Sequence, residues 1–150
     1  MGNFKPWEIN FKMKPEDFGI GKYKFRLDGT LDVFQDVNLI GFNLKELPFK
    51  FGKIDGDFNC YGNKLTSLTG APEIVDGDFI CHWNNLKDLK YSPKIVNGDF
   101  VCNINNLKSL EDLDLNGITG KIYTYENFNL KLTEKEQLWM SLNPDKLVFY

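Results

Sequence analysis

A single histidine and three cysteines are all that this chain of 150 residues offers toward metal or thiol chemistry. The cysteines form no C-x-x-C pair, so a zinc site lacks its usual ligand spacing. Their number is odd and no secretory segment is evident, which argues against a disulfide framework. Basic excess is missing too: the formal net charge is −3, so no global positive field exists to hold nucleic acid. No apolar run approaches the length of a membrane span. Residues Met1 to Asn10 lack the apolar core of a secretory signal, and a cytoplasmic protein is expected. A phosphate-binding glycine loop, a Ser–His–Asp set and a suggestive pair of carboxylates are likewise not found. The sequence therefore reads as that of a non-enzyme without a cofactor or resident metal.

What the chain does have is repetition. Gly56-Asp57-Phe58-Asn59-Cys60 returns as Gly77-Asp78-Phe79-Ile80-Cys81 and again as Gly98-Asp99-Phe100-Val101-Cys102, a period of 21 residues. The tails repeat as well: Asn63-Lys64-Leu65-Thr66-Ser67-Leu68, then Asn84 to Leu89, then Asn105 to Leu110. A fixed period of this length signals a solenoid, whose units bury their apolar faces only by stacking. Stepping back by one period puts Val33 under Ile54, Val37 under Phe58 and Leu39 under Cys60. After Leu110 the pattern slips by one or two residues, with Ile122 and Thr124 inward. Five strand rungs are expected, at residues 36–40, 57–61, 78–82, 99–103 and 121–125.

The strand period of two assigns each position a side. Phe79 and Cys81 face inward, and Cys60, Cys81 and Cys102 form a buried column of small thiols about 4.8 Å apart. Asn84 stands where the strand ends, where a stacked amide can satisfy the backbone groups freed by the bend. Pro72 and Pro93 open the return path and Ile74, Val75, Ile95 and Val96 close it, as extended non-helical chain.

The flanks depart from the repeat. Residues 1–30 are expected to be an N-terminal β cap, with a strand over 7–13, a turn at Pro15–Phe18 and a hairpin at Asp28-Gly29. Residues 31–130 are the repeats. Residues 131–150 are a C-terminal cap: Thr133 and Glu136 form a capping box, and Leu138, Trp139 and Leu142 give the helix an apolar face. The whole is one structural domain.

The pattern Gly-Asp-Phe-x-Cys-x-x-Asn-x-Leu-x-x-Leu, followed by Pro-x-x-Val, resembles the leucine-rich repeat of the short bacterial type. It is most similar to uncharacterised repeat proteins of tailed bacteriophages. The resemblance spans roughly residues 28–130. It implies a curved parallel β-sheet with an extended convex side, and protein binding on the concave strand face or its adjoining loops. It also implies a phage-encoded protein acting on a bacterial host protein, for example by inhibiting a defence factor. Secreted effectors of this type that carry a ubiquitin ligase domain differ, because only about 20 residues follow these repeats and none is Cys.

The expected contact surface consists of Asn59, Tyr61, Ile80, His82, Trp83, Val101, Asn103, Tyr123 and Tyr125, a mixed apolar, aromatic and amide face. Asp57, Asp78 and Asp99 border it as an acidic row. Carboxylates in register repel, so something must offset them. Three readings compete: hydrogen bonds to backbone or Asn at the strand start, a basic partner surface, and a shared calcium ion. Two other roles compete with host-protein binding by a monomer. One is a virion or assembly component that self-associates; the other is a divalent-ion-binding repeat.

Overall fold

The computed structural model describes residues 13–149, which form parallel β-sheets with one α-helix among the described residues and no closed barrel. The strand expected over residues 7–13 lies outside the described residues except for Met13, which is not in a strand.

The chain begins with a single 3-10 turn, Pro15–Phe18, ended by Gly19 in the left-handed region. Strands β1 (Tyr23–Phe25) and β2 (Leu31–Val33) then pair antiparallel across the Asp28-Gly29 turn, as expected. Asp28 Oδ1 accepts the Thr30 amide, and Gly29 has φ 83°. The turn thus carries its own side-chain hydrogen bond and a residue free of the left-handed penalty.

From β2 onward every pairing is parallel. Strands β3 (Val37–Asn38), β5 (Phe58–Asn59), β7 (Phe79–Ile80), β9 (Phe100–Val101) and β10 (Ile122–Tyr123) line up in one sheet. Their register runs Val37, Phe58, Phe79, Phe100, Ile122, so the five expected rungs are present, with the one-residue slip in the last step. A sixth strand, β11 (Leu147–Val148), completes this sheet beside β10. The C-terminal tail is therefore part of the ladder, where the sequence suggested only a cap folded onto it. Its carbonyls receive the amides that β10 would otherwise leave unpaired: Ile122 donates to Lys146 and Thr124 to Val148, at 2.7 and 2.9 Å.

The return path differs from expectation more strongly. Ile74–Val75 is strand β6 and Ile95–Val96 is strand β8. With β4 (Phe51–Ile54), β2 and β1 they form a second sheet in the order β1-β2-β4-β6-β8. The physical reason lies in the stacking. Once units sit on one another at a fixed step, any extended segment of one unit meets its equivalent in the next. Two extended backbones at strand spacing exchange their hydrogen bonds instead of leaving them to water.

The two sheets enclose one core. Phe58, Phe79 and Phe100 are fully buried, with ring centroids 5.5 and 5.1 Å apart in stacked geometry. Val33, Ile54, Val75 and Val96 join them from the second sheet, and Leu65, Leu86, Leu107, Leu68, Leu89 and Leu110 close the third side. Cys60, Cys81 and Cys102 are buried free thiols in the same column.

Amide side chains tie one unit to the next. Asn84 Nδ2 donates to the carbonyls of Cys81 and, in the preceding unit, Cys60; its Oδ1 accepts the Leu65 amide. Asn63, Asn105 and Asn127 repeat this bridge. The equivalent position in the first unit is Phe42, whose ring packs 5.1 Å from that of Phe18 in the N-terminal turn.

The helix α1 (Glu134–Leu142) starts with the expected capping box. Of its expected apolar face only Trp139 packs against the core. Leu138 and Leu142 are 63% and 74% exposed. Glu136 is buried instead, and its Oε1 accepts the Leu110 amide at 3.0 Å while Oε2 accepts the Thr133 amide. Trp139 Nε1 donates to Asn116 Oδ1. This polar tie fixes the roll of the helix. Glu136, Trp139 and Met140 share the inner side at i, i+3, i+4 spacing, so Leu138 and Leu142 are turned to solvent.

A candidate interaction face on the six-stranded sheet

On the six-stranded sheet the outward side chains form two columns. Asn38, Asn59, Ile80, Val101 and Tyr123 make the first, by register. Ile40, Tyr61, His82, Asn103 and Tyr125 make the second, two residues further along. One residue beyond lies the corner, where Gly41, Gly62, Trp83, Ile104 and Glu126 all have φ between 52° and 67°. The turn from strand to return path requires this left-handed backbone in every unit. Glycine meets it without strain at two corners; Trp83, Ile104 and Glu126 meet it at a cost of roughly 1–2 kcal/mol each.

The acidic row borders the strand starts. Asp36 Oδ1 accepts the Asp57 amide at 2.9 Å, Asp57 Oδ1 the Asp78 amide at 2.8 Å, and Asp78 Oδ1 the Asp99 amide at 2.7 Å. Asp99 Oδ1 accepts the Lys121 amide at 2.7 Å. Each carboxylate thus bonds to the backbone of the following unit, which favours the hydrogen-bonding reading of the row. The repeated Gly-Asp pair follows from this contact. A Cβ on Gly77 would stand 2.0 Å from Asp57 Oδ1, and one on Gly98 2.1 Å from Asp78 Oδ1. Among the described residues, no group of three or more His, Cys, Asp or Glu side chains is placed to hold a metal ion.

Most of the expected contact residues do come together. Asn59, Tyr61, Ile80, His82, Val101, Tyr123 and Tyr125 are half-buried on this face, and Trp83 is 58% exposed beside it. The Tyr61 and His82 rings stack at 4.4 Å, and the Trp83 ring lies 5.7 Å from Tyr61. Asn103 departs from expectation: it is only 1% exposed, and its Oδ1 has no hydrogen-bond partner. It stands between His82 and Tyr125 in its column. His82 Nδ1 is also buried without a partner, and partial burial lowers the His82 pKa, favouring the neutral ring.

Sequence reasoning missed the notch at the corner. Ile40, Gly41, Tyr61, Gly62, Asn63 and Trp83 line a hollow of about 320 Å³. A Cβ on Gly41 or Gly62 would meet nothing within 4 Å, so the missing side chains leave this hollow open. The signal was present in the chain: glycine at two corners and Trp at the third.

The thiols point away from this face. Burial pushes Cys60 and Cys102 up to about 12 and raises Cys81 well above the ordinary thiol value. Cys81 and His82 are neighbours in sequence but lie on opposite sides of the strand, so they do not form a nucleophile–base pair. Among the described residues no helix is long and apolar enough to cross a membrane. Compared with protein-family models, curated proteins and solved structures, the chain matches none.

Proposed function

We propose that the chain is a short solenoid of leucine-rich-repeat type that binds another protein through the outer face of the six-stranded sheet and the corner beside it, without catalysing a reaction. The 21-residue step from Val37 to Phe100 in one sheet and from Lys53 to Val96 in the other supports the solenoid part of this reading. The resemblance adds the source and target: a phage-encoded protein acting in the host cytoplasm on a bacterial protein, as an inhibitor.

One observation carries the binding part. Trp83 holds a left-handed backbone conformation that the preceding two corners give to glycine, and it does so while 58% exposed. Strained backbone is retained where something else requires the side chain. Burial within the chain returns little to a ring this exposed, so contact with a partner is the requirement that remains. Tryptophan and tyrosine beside an open notch are the anchors that dominate protein interfaces.

Immobilised wild type, Trp83→Gly and Tyr61→Ala, each checked for unchanged folding, test this against bacterial lysate. Retention of a defined protein by wild type and its loss from both variants is the expected result. Equal capture by all three overturns the reading.

Self-association is the second reading, favoured by exposed Leu138 and Leu142 on one side of α1. A defined oligomer at micromolar concentration that Leu138→Lys disperses would support it; a monomer would remove it.

A further inference from the structure

The chemistry of this face is one-sided. Asp36, Asp57, Asp78 and Asp99 each commit one oxygen to a backbone amide, and none forms a salt bridge with a Lys or Arg side chain among the described residues. Their second oxygens are left as acceptors, repeating at about the strand separation of 4.8 Å. At the far end of the strands stand the rings of Tyr61 and Trp83. The two outward columns contain no Lys or Arg, and Lys121 enters only at the end of the acidic row.

We propose that the partner presents an arginine-bearing segment to this face. The inference rests on the protein-binding reading above and names the class of partner. Anionic oxygens and aromatic rings both favour a donor-rich cation. A guanidinium fits better than an ammonium for three reasons. Its planar fork can bridge the free oxygens of two adjacent carboxylates. Its plane stacks on Trp and Tyr. Its aliphatic stem can lie along Ile80 and Val101. About five residues separate the acidic row from the corner, roughly 16 Å of strand, so one arginine does not reach both ends. An extended segment with two cationic side chains does.

The test uses the whole protein and a fluorescein-labelled peptide of alternating Arg and Ala, with Lys and Glu counterparts. Anisotropy is read in about 0.15 M salt, where long-range attraction is screened beyond ~8 Å. The Arg peptide should bind several-fold tighter than the Lys peptide, and the Glu peptide should not bind. Asp57→Asn with Asp78→Asn keeps an acceptor for each backbone amide, so folding persists. It should nevertheless weaken the Arg peptide about tenfold or more. Trp83→Gly should weaken it as well. Glu111→Gln with Asp112→Asn removes the same net charge from exposed positions away from the face, and should leave binding unchanged. Equal binding of Arg and Lys peptides, or equal weakening by the two double variants, overturns the proposal. If lysate capture depends on Trp83 but ignores the Asp57/Asp78 variant, the partner is not cationic while the binding reading survives. A loss of capture with Trp83 intact and the acidic row neutralised supports both.

Discussion

At the five-stranded sheet, Lys53 Nζ lies 2.9 Å from Asp55 and 3.0 Å from Asp76, and Arg26 clamps Asp32 at 2.8 Å. At the six-stranded sheet the row Asp57, Asp78, Asp99 has no such cation, and each of these carboxylates leans on a backbone amide instead. Both sheets come from the same units, stack at the same step and cover the same core. On one side Asp32, Asp55 and Asp76 meet cations of the chain; on the other the carboxylates of the row meet only backbone amides. The corners beside the second side repeat the lesson, with strained Trp83 and Ile104 in positions that glycine fills elsewhere.

The comparison holds only if the shared interior, and not either face, carries the stability. Leu86→Ala opens a cavity between fully buried neighbours and should cost about 2–5 kcal/mol in urea unfolding. A loss of this size from Tyr61→Ala would mean that the face belongs to the core. Next comes the contact beneath the acidic row. Gly77→Ala forces a Cβ onto the Asp57 carboxylate, and about 1–3 kcal/mol should be lost. Combining it with Asp57→Gly should recover part of that loss, because the clash and its partner vanish together.

Smaller and opposite in sign is Trp83→Gly, which relieves the left-handed strain and should raise stability by roughly 1 kcal/mol while abolishing capture. A destabilised variant would show that Trp83 is held for packing and would erase the contrast between corners. The smallest expected effect separates the faces by pH. His82 titrates lower in the folded chain than in the unfolded one, where about 6.5 applies. Between the two values the unfolded chain binds more protons, so this contribution is complete above the unfolded value and declines as pH falls. Wild type should lose a little Tm relative to His82→Gln from about pH 7.5 to about pH 5.5. An unchanged difference would place His82 in contact with water.

Periodicity made the core legible. Phe58, Phe79 and Phe100 recur at one spacing, as do the Cys and Asn positions, and a constant step can bring recurring residues together in only one way. The Thr133–Glu136 capping box was readable because it depends on four consecutive positions. The second sheet was not readable in Ile74-Val75 or Ile95-Val96, since two-residue strands have no pattern of their own and exist by pairing 21 residues away. Strand β11 was hidden for a related reason: Leu147 pairs with Ile122, a step of 25 residues that breaks the period. The roll of α1 escaped because Glu136 spends its second oxygen on Leu110, a contact that no local rule anticipates.

By itself the sequence determined the repeating step, the inward column of Phe, Cys and Leu, and the side of each strand on which Tyr61, His82 and Asp78 stand. Those follow from local geometry and a period, which are properties of neighbours along the chain. Tertiary structure alone decided that the return path becomes a sheet, that Asn103 is buried and that glycine corners open a notch against Trp83. It also decided that each Asp carboxylate is bound by the next unit. These depend on which atoms meet across units, and stacking brings together groups that the chain itself keeps 21 residues apart.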